Sequence, residues 1–197
     1  MKKWIAFLLT LTLMTSLSAC RCSQEPDAPD GSNPTSVPTD TTDPTKPVSG
    51  KSLPGTMEEN VNKIMAENPA EFMGGTISVD LQDKSEENLW ALKNYTGLDS
   101  AQNLTDVAVY EPMTGSQAFS LVLVRVAGSA DPKSVAREMK DKIDPRKWIC
   151  AQADQIMAAG YGDVVMFIML DSTLGKTAQS YVDAFQKVCG NKPDFTL

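Results

Sequence analysis

The residues that could do chemistry are quickly narrowed by one absence: the chain has no histidine. That removes Ser-His-Asp and Cys-His nucleophile systems and the common His-containing zinc sites. Four cysteines remain, Cys20, Cys22, Cys150 and Cys189. Two lone cysteines without histidine make a poor metal site, so neither a metal nor any other cofactor is expected. Leu174-Gly175-Lys176-Thr177 imitates the end of a phosphate-binding loop, after an apolar run and before a helical pattern. The motif needs a glycine five positions before Gly175, and Leu170 stands there. Without it the backbone cannot curl its amides around a phosphate, so the stretch reads as a helix start, with an anion site the weaker alternative.

Carboxylates could form a glycosidase-like dyad or a calcium site. Glu58, Glu59, Glu86 and Glu87 are better explained as first-turn acids facing helix dipoles, and no Asp-x-Asp-x-Asp-Gly loop is present. Lys133 and Ser134 are one of many neighbouring Ser and Lys pairs, and nothing selects them as a nucleophile and its base. Asn94-Tyr95-Thr96 and Asn103-Leu104-Thr105 match the glycosylation sequon, a short pattern that carries little weight by itself. Gly160-Tyr161-Gly162-Asp163 repeats the last letters of a potassium-channel filter. A filter needs four copies of a longer loop between membrane helices, so these letters read as a hairpin turn, with Gly160 and Gly162 supplying positive φ.

The N-terminal stretch sets the expected location. Lys2 and Lys3 precede a short apolar run, Trp4 to Met14, followed by Leu17-Ser18-Ala19-Cys20. A charged start, a short apolar core and small residues describe a secretory signal, and the run falls short of the ~20 apolar residues a spanning helix needs. The last four residues resemble the lipobox of bacterial lipoproteins. That resemblance implies cleavage after residue 19 and a diacylglyceryl lipid on Cys20, two acyl chains being enough for stable anchoring. Residues 20–55 are Pro, Thr, Ser, Asp and Gly with almost no large apolar side chain. Such a segment is expected to be a disordered, semi-rigid tether, reaching roughly 100 Å at most when extended. Cys22 lies within it.

The globular part is expected over residues 56–197. It carries 13 Lys and Arg against 20 Asp and Glu, a net charge of −7, with no basic stripe. Nucleic acid is therefore not an expected partner. The position of Cys150 and Cys189 leaves two readings open. In an oxidising compartment they could form a disulfide worth roughly 3–4 kcal/mol; reduced, each would pack as a small hydrophobe.

The elements that must position these residues follow from capping and periodicity. Thr56-Met57-Glu58-Glu59 is a capping box opening a helix to about Glu67. Ser85 starts a second helix, with Leu89, Trp90 and Leu92 as its apolar face and Gly97 as its stop. Residues 106–112 and 118–126 read as a hairpin around 113–117. Asp131 and Pro132 open a helix with Val135, Met139 and Ile143 in register. A strand over 147–158, an apolar strand over 163–170 and a helix ending at Gly190 then repeat the order, with Leu121 mapping near Val164 and Lys133 near Lys176. The predicted fold is α+β: a ββα–ββα core with an antiparallel four-stranded sheet, helices on one face, preceded by one or two short helices.

"NYTGLD" (residues 94–99) and "GYGDVVMFIML" (residues 160–170), set in this layout behind a lipobox and tether, resemble a family of small Gram-positive lipoproteins known only as a domain of unknown function (number forty-three fifty-eight). The resemblance covers about Glu58 to Cys189. It implies the fold and the cell-surface location and assigns no catalytic residue. The expected role is a lipid-anchored, non-enzymatic binding or interaction domain on the outer face of the membrane, with a protein or cell-wall glycan as partner. The alternative is an extracytoplasmic hydrolase using carboxylates or a Ser/Lys pair.

Overall fold

The computed structural model describes residues 50–197. The signal, Cys20, Cys22 and the tether as far as residue 49 lie outside the described residues. Four helices and six strands follow in chain order: α1 (Met57–Glu67), β1 (Gly74–Ser78), α2 (Glu86–Thr96), β2 (Leu104–Pro112), β3 (Phe119–Val126), α3 (Pro132–Lys142), β4 (Gln155–Tyr161), β5 (Val164–Leu170), α4 (Ala178–Cys189) and β6 (Phe195–Thr196). One short 3-10 turn, Ser172–Leu174, precedes α4.

Helix ends follow local chemistry. The Thr56 hydroxyl accepts from the Glu59 amide while the Glu59 carboxylate accepts from the Thr56 amide, closing the capping box at α1. Ser85, Asp131 and Thr177 cap the other three helices, and Gly97 and Gly190 end α2 and α4 in the left-handed conformation.

The sheet has six strands in the order β1-β2-β3-β5-β4-β6, every pair antiparallel. The expected four strands are its centre; β1 and β6 add an edge on each side. Neither edge strand announces itself, since β1 is glycine-rich and mostly exposed and β6 is two residues long.

The helices cover both faces of the sheet, not one. Phe119, Leu121 and Leu123 with Val164, Met166, Ile168 and Leu170 pack against α1 and α4. The intervening residues Val122, Val124 and Val126 with Val165, Phe167 and Met169 pack against α2 and α3. Strands apolar at both parities have to be covered on both sides, and β3 and β5 are such strands. The same observation ends the idea of a duplicated ββα unit. A two-fold relating antiparallel β3 to β5 would keep α3 and α4 on one face, whereas they lie on opposite faces.

The strand expected over 147–158 forms later, at β4, and residues 144–153 are a loop. It is pinned by Ile149 N–H to the Gly115 carbonyl at 2.8 Å and Ala153 N–H to the Pro145 carbonyl at 2.9 Å. The GYGD stretch does turn the hairpin, one step later than expected. Tyr161 pairs with Val164, so Gly162 and Asp163 form the turn and Gly162 has φ 59°. Gly160 is inside the strand with no positive φ. Its lack of a side chain serves packing instead: a Cβ there would meet the Phe195 ring at 2.2 Å.

Candidate functional site

The site is built where α2 meets the chain after α3. Two positions along a helix turn through about 200°, so burying Leu92 against the sheet sends Trp90 outward, and Trp90 is 66% exposed. The expectation that Leu89, Trp90 and Leu92 share a buried face therefore holds for Leu92 alone. Trp90 stands instead over a cavity of about 420 Å³ lined also by Lys93, Asn94, Lys142, Asp144 and Lys147. Lys93 and Lys142 both reach the Asp99 carboxylate, at 2.7 and 3.1 Å, and hold it below its ordinary pKa through hydrogen bonds and charge. All three groups are well exposed, so these pairs are weak.

The floor is different. The Lys147 side chain is only 6% exposed and its ammonium lies 2.6 Å from Glu111. It donates to the Asn94 carbonyl at 2.9 Å and to the Ser120 hydroxyl at 3.4 Å. Tyr95 and Trp148 present ring faces 5.2 Å away, the geometry of cation–π attraction. Burial lowers the lysine pKa and Glu111 opposes that shift. Burial, followed by the charge of Glu111, raises the phenol of Tyr95. A lysine beside a serine hydroxyl is the arrangement a Ser/Lys nucleophile needs. Here Ser120 is fully buried, out of reach of a substrate, and the ammonium is committed to Glu111. The cluster holds the loop over 144–153 against β2, β3 and α2.

The other pair, Lys133 and Ser134, is not brought together as a dyad. Ser134 donates to the capping Asp131 at 2.7 Å and the Lys133 ammonium lies 6.0 Å from the Phe195 ring centre. Glu58 and Glu59 are on the first turn of α1 and Glu86 and Glu87 on the first turn of α2; Glu58 accepts from the Ser78 hydroxyl at 2.7 Å and Glu59 closes its capping box. Hydrogen bonds hold the carboxyls of Asp83, Asp99, Asp131, Asp154 and Asp194 below the ordinary carboxylate range, the opposite of a general acid's need. Among the described residues no group of three or more His, Cys, Asp or Glu could hold a metal ion, and no helix is long and apolar enough to cross a membrane. The Leu174–Thr177 stretch is a helix start, with Thr177 capping α4.

Cys150 and Cys189 are both free, so the candidate disulfide does not form. Cys150 is exposed in the loop, at φ 59°. Cys189 sits at the end of α4, half-buried, with its pKa pushed up to about 12 by burial and, secondarily, by Asp194. Cys150 is open to solvent, so iodoacetamide at pH 8 should alkylate it readily, whereas thiolate, the reactive form, is suppressed at Cys189. Cys189 should react at least a hundred-fold more slowly until the protein is unfolded, as read peptide by peptide in a mass spectrometer.

One assembly was invisible in the sequence. Arg125 and Asp163 form an ion pair at 2.7 Å with side chains only 18% and 9% exposed. The guanidinium also donates to the Ser52 hydroxyl at 2.9 Å, the Leu53 carbonyl at 2.7 Å and the Gly55 carbonyl at 2.9 Å. Lys51 pairs with Asp194 at 2.7 Å, Asp194 also accepts from the Gly162 amide, and Leu53 is buried. Residues 51–55, expected as the end of the tether, are therefore clamped onto the domain.

No protein-family model, curated protein or solved structure matches the chain.

Proposed function

We propose that this chain is a lipid-anchored extracytoplasmic binding domain, carried on a diacylglyceryl Cys20 and acting without catalysis on a cell-surface partner. The observation that carries the binding role is Trp90, an indole left 66% exposed at the mouth of a cavity of about 420 Å³. Large aromatic side chains left in water beside a concavity are characteristic of recognition surfaces. The hydrolase alternative draws no support from the groups at hand. The Ser120 hydroxyl is sealed, Lys147 is paired, and the shifted carboxylates move in the direction that keeps them ionised.

The anchor rests on the charge, apolar run and lipobox of the N-terminal stretch. Cys20→Ala should move the protein from the membrane fraction into the medium. Unchanged membrane association would sink the anchor. For the binding role, photo-crosslinking on intact cells should recover a reproducible partner that is lost on Trp90→Ala. Hydrolysis of a wall substrate with no partner recovered would replace binding by catalysis.

A further inference from the structure

We infer that β1 is a docking edge on which a second copy of this chain lays its own β1, antiparallel about a two-fold axis at Thr76. The two edges of the sheet are not alike. β6 is two residues long, which blunts it as a template. β1 runs five residues, Gly74-Gly75-Thr76-Ile77-Ser78, with no proline, charge or bulge to discourage pairing. The Met113 N–H donates to the Met73 carbonyl and the Val79 N–H to the Val107 carbonyl, each at 3.0 Å. The odd positions of β1 therefore bond to β2. Alternation along an antiparallel strand then turns the N–H and C=O groups of Gly74, Thr76 and Ser78 outward, on the side where no described strand pairs.

What selects a second copy is the way this edge complements itself. With Thr76 opposite Thr76, Gly74 falls opposite Ser78, and each outward position meets another outward position as a hydrogen-bonded pair. Between these pairs, Ile77 of one copy lies over Gly75 of the other. Ile77 is 45% exposed, and a Cβ at Gly75 would meet nothing within 4 Å, so the glycine leaves the room that the isoleucine needs. Met73, 78% exposed, falls in the same register opposite Val79. Two large apolar side chains that the fold leaves in water are thereby covered. On the other face, Thr76 donates to Asn62 of α1 at 2.6 Å and Ser78 to Glu58 at 2.7 Å. The axis sets Asn62 against Asn62 and brings Glu58 beside Gly74 of the second copy, so acid does not face acid. A strand of another sequence would have to bring its own small residue opposite Ile77; this chain already carries one in register.

A single edge is a small contact, and interfaces below about 1,200 Å² belong to weak pairs. The test therefore compares the full processed chain, in excess detergent micelles, at about 0.5 mM and at a fifty-fold dilution. Amide exchange followed by NMR should be at least three-fold slower at Gly74, Thr76 and Ser78 in the concentrated sample. Ile77→Lys places a charge at an exposed position of the edge and should abolish that difference without changing the melting temperature. Thr76→Pro removes the outward N–H at the axis, keeps the bonds to β2, and should do the same. For the register, a Gly75→Cys chain is mixed with an Ile77→Cys chain, both also carrying Cys22→Ser and Cys150→Ser. Directly opposed positions of this kind lie about 4.5 Å apart at Cα, within reach of a disulfide. Mixed disulfides should exceed same-position ones at least five-fold. Exchange that is equally fast at both concentrations overturns the inference and leaves the edge to a strand of another protein. A concentration dependence that survives both substitutions places self-association elsewhere and overturns it too. Same-position disulfides as abundant as mixed ones overturn the pairing about Thr76.

Discussion

Arg125→Met should cost about 3–5 kcal/mol of folding free energy, measured by urea denaturation at neutral pH, because it strands a buried carboxylate. Asp163 is 9% exposed at the side chain. One of its oxygens accepts from Arg125 and Ser52, and the other has no hydrogen-bond partner. The arginine supplies the only cation paired with it among the described residues. Methionine keeps most of the aliphatic packing, so the loss reports the charge rather than the shape. The same change frees the Leu53 and Gly55 carbonyls, and residues 51–55 should become open to limited proteolysis. Adding Asp163→Asn should recover a large part of the loss, since the uncompensated charge is then gone. A loss under about 1 kcal/mol for Arg125→Met would mean that the pair behaves as an ordinary surface salt bridge.

The second large effect is expected at the other buried pair, and its pH dependence has a definite sign. Glu111→Gln leaves the Lys147 ammonium inside the protein with no countercharge, a loss of about 3 kcal/mol at pH 7. Glu111 is the group that raises the pKa of Lys147 against the lowering effect of burial. Removing it must therefore drive the folded-state pKa further below the ordinary value of 10.5. A lysine whose pKa is depressed on folding binds fewer protons in the folded than in the unfolded chain. Stability then rises with pH between the folded and unfolded pKa values. The deficit of the variant should accordingly shrink between pH 7 and pH 10, as successive urea titrations would reveal. A deficit that stays constant over that range would mean that Lys147 finds another anion or reaches water.

How much of this was legible in the sequence depended on the range of the interaction. Thr56, Ser85 and Asp131 announced their helices because a cap bonds to amides two or three residues away. Gly97 and Gly190 announced the ends for the same reason. The run from Val164 to Leu170 marked a central strand because nothing in it can face water. The identical property, read in β3, should have required helices on both faces; its apolar residues fall on both parities, and attention to alternation alone hid that. The rest depends on contacts distant along the chain. Nothing near Lys147 in sequence points to Glu111 and Ser120, and Trp148 and Ile149 made a loop look like a strand. Trp90 sat within an apolar triplet, and its outward aim follows from which neighbour the sheet buries. Arg125 looked like the polar exception in an apolar strand, while its partners Ser52, Leu53 and Gly55 lay in a segment whose composition argued for no structure at all.

The clamp at residues 51–55 also decides how tension would run through the domain. Arg125 and the Gly162–Asp163 turn lie at one end of the sheet, and Ser120 and Glu111, which hold the floor of the Trp90 cavity, lie at the other. Ser120 and Arg125 are five residues apart on β3, about 17 Å at the usual rise of a strand. A pull on residue 51 opposed by a ligand held at the cavity would be directed along β3 and β5. Their ladder hydrogen bonds run across that line, so they would share the load in shear rather than break in succession as in a zipper. Resistance to forced opening is set by the unfolding rate, and a load borne in shear keeps that rate low. Gripped at one pole and loaded at the other, the domain would meet such a pull in its most resistant direction.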